Sequence, residues 1–217
     1  MTEAKDPRSR RAGLTRAIVA EGALRVIDRE GLAGLTMRAL ATELGVHAMS
    51  PYNHVEDKDD LLDAVAELLG ASVGPPPPSL SWDDTLRAIA SALRAVVLTH
   101  PHAAPLVASR PIASPAALVP VDAALAALRR GGLGPEEAVT TFWLFGSYVV
   151  GALIGEAASL IERRPVSIGP DKVEAAAEAG ALPALAELAP WIAASTWERE
   201  FDRGLERLIA GVRARSS

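Results

Sequence analysis

Between Gly45 and Val55 the chain carries side chains suited to reading a polar surface. Ser50, Tyr52, Asn53 and His54 fall within two helical turns, with hardly any aliphatic bulk around them and no acidic residue. A hydroxyl, a phenol, a carboxamide and an imidazole together donate and accept hydrogen bonds. That is the chemistry needed to meet base edges in a DNA major groove and the phosphates beside it. Pro51 lacks an N–H and fits only within the first turn of a helix, so a helix is expected to start near Met49. Before it, Thr36 is placed to cap a short helix running through Arg38, Leu40, Ala41 and Leu44 to Gly45. An earlier helix, over about 14–30, shows an apolar stripe that includes Leu14, Ala17, Ile18, Leu24 and Ile27 and meets a stop at Gly31. Three short helices with a glycine turn between the second and third have the spacing of a helix-turn-helix. Two core helices joined at Gly45-Val46 would have the same spacing, and the residues alone leave both readings open.

Other chemistries lack their residues. There is no glycine-rich phosphate loop, no GxSxG and no HExxH, so no enzyme activity and no cofactor are expected. The four histidines, His47, His54, His100 and His102, are not arranged with carboxylates as a triad or a metal site, and no metal is expected. Zero cysteines among 217 residues remove disulfides, thiolate ligands and thiol switches and favour a cytoplasmic setting. The N-terminal residues contain no apolar run, so no secretory signal is expected. No stretch of 18 or more uncharged apolar residues is expected to span a membrane. The 42 alanines and 4% aromatic content call for a core of small and aliphatic side chains.

The net charge of −5 hides an asymmetry. Residues 1–58 hold nine Lys/Arg and eight Asp/Glu, whereas the remainder holds thirteen against nineteen. Lys5, Arg8, Arg10 and Arg11 form a basic arm too polar to join a core. Asp57 is placed to cap a helix carrying Leu61, Leu62, Val65 and Leu69, and the proline tract 75–78 then marks a domain boundary. Beyond it, helices are expected from Ser81 to about His100, from Ser114-Pro115 to Gly131, from Pro135 to about Arg163 and from about Ala194 to Arg213. The third of these reads apolar almost all round between Val139 and Leu160, which predicts burial on several sides. No run of alternating polarity suggests a strand. The fold class is all-α. A basic arm (1–12), a helix-turn-helix domain (13–74), a proline-rich connection (75–79) and a second helical domain (80–217) follow in order.

The segment 23–69, ALRVIDREGLAGLTMRALATELGVHAMSPYNHVEDKDDLLDAVAELL, resembles the DNA-binding domain of the TetR family of bacterial transcriptional regulators. Its landmarks stand in order at Gly31, Leu35 to Arg38, Leu44 to Val46, Tyr52 to Val55, Lys58 and Leu61-Leu62. Ser81 to Asp84, Thr99-His100 and Ser109 to Pro111 are similar to the tetracycline-repressor subgroup. The resemblance implies a sequence-specific regulator, most simply a repressor released from double-stranded operator DNA by a small-molecule effector. It implies that Tyr52 and Lys58 contact phosphate, that Thr36 offers its hydroxyl or N–H to phosphate, and that Arg38 reaches a base edge. Ala48, Met49, Ser50 and Asn53 would form the readout surface, with Asn53 suited to adenine and Met49 to a thymine methyl. His47 and His54 are structural or phosphate-directed. Arg8, Arg10 and Arg11 gain a reading as minor-groove or backbone contacts. For Tyr52 a place over the three-helix core, and for Arg38 a surface salt bridge, remain as alternatives.

The second domain is then the sensor and dimerisation unit. The helices over about 135–163 and 194–213, the second amphipathic by its spacing yet counted with the first as nearly all-apolar, are candidates for a four-helix interface between two copies, with Gly146, Gly151 and Gly155 permitting close approach. A ligand pocket is expected from Trp82, Leu93, Leu106, Arg110, Trp143, Ser147, Tyr148, Trp191 and Trp197. In the tetracycline repressors a histidine four residues before the Arg-Pro pair holds the drug's magnesium ion, and here that position is Leu106. A mostly apolar ligand is therefore expected in place of a metal-chelated tetracycline.

Overall fold

The computed structural model describes residues 13–163, 175 and 182–215, and all the regular elements among them are helical. Helix α1 (Arg16–Gly34) is capped by Thr15, whose hydroxyl accepts from the Ile18 N–H at 3.2 Å. The regular helix stops at Gly31, as its residues predict. The backbone breaks there (φ 73°, ψ 172°), in a region open to glycine, and resumes for one turn. Helix α2 (Met37–Leu44) begins and ends as its residues predict: Thr36 accepts from the Ala39 N–H at 3.1 Å, and Gly45 turns left-handed at φ 64°. Helix α3 (Lys58–Ser72) is capped by Asp57, which accepts from the Asp60 N–H at 2.9 Å.

The third helix of the expected trio is shorter than its spacing suggests. Only Pro51–Asn53 is regular, and it is a 3-10 turn. Pro51 cannot donate, and the neighbouring bonds run three residues back, from the Ser50 N–H to the His47 carbonyl (2.9 Å) and from the His54 N–H to the Pro51 carbonyl (2.9 Å). Buried Pro51 and Val55 fix the segment to the core of Ile27, Leu35, Leu40, Leu61 and Val65. Ala103 and Leu106, from well past the proline tract, complete that core.

The remaining helices, all but α8, build a second cluster. They are α4 (Trp82–Thr99), α5 (Ala104–Ser109, after a 3-10 turn at Pro101–Ala103), α6 (Pro115–Arg130), α7 (Pro135–Glu162), α8 (Pro183–Ala193) and α9 (Trp197–Arg215). Leu86, Leu128, Phe145, Leu153, Phe201 and Ile209 fill its centre. Three expectations are corrected here. Helix α7 is not buried on several sides: α4, α5, α6 and α9 cover one face, while Val139, Trp143 and Leu144 are exposed on the other. Residues 138–155 also carry no charge, so α7 is long and apolar enough by length and composition to cross a membrane, contrary to the expectation that no such stretch exists. Helix α9 is amphipathic and not nearly all-apolar, since Phe201, Leu205, Ile209 and Val212 face inward and charged residues such as Asp202, Glu206 and Arg207 face water. Helix α8 has no buried residue, and Leu188 and Trp191 are exposed.

Candidate nucleic-acid interface and linked cavity

The residues expected to read DNA lie at the surface of the first unit. Thr36, Arg38, His47, Ala48, Met49, Tyr52, Asn53 and Lys58 are exposed, while Ser50 and His54 are half-buried. Met49 presents 69% of its surface, an unusual position for a thioether unless something apolar is to meet it. Tyr52 is exposed and does not pack on the core, and no ion pair to Arg38 occurs among the described residues. Lys58 opens α3, where free backbone N–H groups favour an anion. Arg8, Arg10 and Arg11 lie outside the described residues.

Arg16 is the positioning residue that the sequence did not single out. Its guanidinium reaches from α1 to Asp60 Oδ2 (2.8 Å) and Oδ1 (2.5 Å) and donates to the His54 carbonyl at 3.3 Å. Asp60 in turn accepts from the Glu56 N–H at 2.8 Å. One ion pair therefore holds the end of the reading segment and the start of α3 in fixed relation to α1. The Arg16 guanidinium, aided by the Glu56 N–H, lowers the Asp60 carboxyl from 3.8 to about 2. Because the folded value lies below the ordinary one, this contribution is whole above about pH 4 and fades as pH falls towards 2. Asp60→Asn should abolish that acid-side component, so that wild type and variant converge in thermal stability between pH 4 and 2; parallel curves would contradict the assignment.

A cavity of about 150 Å³ lies where α3 meets the second unit. Its wall takes Leu93, Leu106 and Arg110 from the expected set. The others lie elsewhere. Trp82 packs on Gly131, Tyr148 donates to the Glu200 and Phe201 carbonyls (2.8 and 2.9 Å), and Trp197 lies tightly on Gly155. Ser147, Trp143 and Trp191 are exposed. Large aromatics were favoured for their size, yet here they serve packing or the outer surface. Sequence reasoning missed Phe142 and Phe145, which share the inward face of α7, and Ala66 and Gly70, by which α3 itself becomes a wall, with Val73 just past its end. The small size of Ala66 and Gly70 is what makes room, and Gly70 already sits so close to Ala117 that an added Cβ would lie 3.0 Å from it.

Beyond this packing, polar contacts tie the two units at two places among the described residues. Arg110 pairs with Asp59 (2.9 Å) and Asp63 (3.1 Å), both on α3. His100 Nδ1 lies 2.8 Å from Asp28 of α1, and His102 Nδ1 lies 3.2 Å from the Asp28 carbonyl. Residues 19–65 match the family model of bacterial regulatory proteins of the tetR family, and residues 74–216 match that of the tetracyclin repressor-like C-terminal domain. The chain belongs to the TetR family. Its likeness extends over whole relatives. An HTH-type transcriptional regulator of Saccharopolyspora erythraea is 35% identical over 93% of this chain and 85% of its own. The class E tetracycline repressor protein of Escherichia coli is 31% identical over 88% and 87%. The crystal structure of the TetR-family protein ActR of Streptomyces coelicolor in complex with actinorhodin superposes with a TM-score of 0.79 at 29% identity, over 94% and 97% of the two chains. This TetR-family chain is a DNA-binding transcriptional regulator with a tetracyclin repressor-like C-terminal domain, in a family whose members are generally not enzymes.

Proposed function

We propose that the protein acts in the cytoplasm as a homodimeric repressor that leaves a palindromic operator when a small, largely apolar ligand fills the cavity. The observation that carries this reading is that α3 is at once a wall of the cavity, through Ala66 and Gly70 with Val73 just past its end, and the bearer of Lys58. A ligand that prefers one placement of α3 shifts the placement of the reading segment by its differential affinity. On this reading residues 13–74 bind DNA, joined through 75–79 to a ligand-binding and dimerisation domain over 80–217, and the arm 1–12 adds backbone or minor-groove contacts. Two copies pair through the uncovered apolar face of α7 together with α9. The likeness to ActR, which is solved in complex with actinorhodin, supports a small-molecule ligand for this chain. Leu106 offers no coordinating atom to the cavity, which supports a ligand other than a magnesium-chelated drug.

The phosphate and base roles separate experimentally. Tyr52→Phe and Lys58→Ala should weaken binding to every duplex alike, and Lys58→Ala should lower the slope of log affinity against log salt by about 1. Arg38→Ala or Asn53→Ala should change the preferred base at one position. Fluorescence anisotropy at two salt concentrations and with single-base operator variants reads both, and unchanged affinity in Lys58→Ala at both salts would remove its phosphate role.

A further inference from the structure

Arg110 is the one charged side chain on the wall of the cavity; the other lining residues described are apolar, including Leu93, Phe142 and Phe145. An arginine in such a wall needs an anion. Here it takes two, Asp59 and Asp63, in the first two turns of α3, one residue and five residues past Lys58. Asp59 is 79% exposed, so its pairing with Arg110 is open to competition, while Arg110 also lines a cavity whose other residues are apolar.

We propose that the effector is an amphipathic acid, an apolar ring body with one carboxylate or comparable anionic group, and that its anion takes Arg110 from Asp59 and Asp63. This rests on the reading of the cavity as the effector site and adds the ligand's chemical class and the contact it exchanges. A neutral molecule of the same shape fills the apolar space but leaves Arg110 on α3. The acid fills the same space and unfastens the first turns of α3, the part that presents Lys58. Both aspartates then turn to water beside the lysine, and the phosphate-facing end of α3 is no longer held to the sensor.

The test compares 2-naphthoate with 2-naphthamide, which share a ring body, on the full chain by isothermal titration calorimetry, with anisotropy of an operator duplex obtained by selection as a second readout. Wild type should bind the acid roughly tenfold or more tighter than the amide, the scale of one charge-assisted hydrogen bond. Arg110→Met should abolish that preference while still binding the amide. Asp59→Asn/Asp63→Asn, which frees Arg110, should bind the acid more tightly than wild type and the amide equally, and the acid alone should release wild-type protein from DNA. Equal binding of acid and amide by wild type would overturn the acid class and the exchange while leaving the cavity as effector site. Failure of both probes to bind would overturn the cavity reading and the proposal with it. An acid preference that persists in Arg110→Met would overturn the role of Arg110.

Discussion

Replacing Glu156 by alanine is expected to destabilise the fold by about 3–5 kcal/mol, the usual cost of leaving one member of a buried ion pair alone. Glu156 is 8% exposed in α7 and grips Arg94 of α4 with two bonds, Nε to Oε2 at 2.8 Å and Nη2 to Oε1 at 2.6 Å. The guanidinium also lies 5.6 Å from the centre of the Phe201 ring, so three helices meet at this one charge. The carboxylate beside it raises the Arg94 pKa, and the arginine keeps its charge when the partner is removed. The variant therefore retains a cation beside the Phe201 ring with only 21% of its side chain exposed. A double variant, Arg94→Met/Glu156→Leu, should lie far closer to wild type, because neither desolvated charge remains. Urea denaturation at fixed protein concentration checks both; a loss below about 1 kcal/mol in Glu156→Ala would show that water reaches the arginine.

If two copies pair through α7 as proposed, Trp143→Asp is expected to give a monomer and to lower operator affinity by about a hundredfold or more, since the second reading head is then no longer held at high effective concentration. Trp143 is 67% exposed in the middle of α7, beside exposed Leu144 and one turn from exposed Val139. An apolar patch of that kind on one side of a helix whose other side is fully packed marks a surface meant to be covered. A charge there leaves the single chain's fold almost untouched, because Trp143 touches little of the core beyond an edge contact with Phe142. Sedimentation or light scattering reads the assembly directly. A monomeric wild type would overturn the proposed dimer, and a Trp143→Asp variant that stays dimeric with unchanged DNA binding would move the interface elsewhere.

Features set by neighbours in the chain are legible in the residues. Thr36, Asp57, Ser81 and Ser114 each occupy the cap position their type suggests, because a cap needs only a side-chain oxygen and an N–H three residues on. Gly45 is legible for the same local reason. The TetR-type head was read from such landmarks together with their spacing, and its exposed residues are the ones whose chemistry stood out. Features set by distant parts of the chain were not legible. The length of the reading helix depends on how Pro51 and Val55 seat on a core that Ala103 and Leu106 complete. Hydropathy showed that α7 is apolar on both faces but not that its own subunit covers only one. The cavity was misread for a similar reason: space arises where residues are small, as at Ala66 and Gly70, while the tryptophans that drew attention are used up in packing or lie outside. Arg16 escaped notice because its partner lies 44 residues away.

The central claim is that this chain reads a specific two-fold DNA sequence through the segment around Asn53. Selection of bound duplexes from a random library by the purified full chain tests it most directly. Enrichment of an inverted repeat with two equivalent half-sites is expected, with a changed base in both half-sites when Asn53→Ala is used. Enrichment of no sequence, or of a single unpaired half-site, would contradict it.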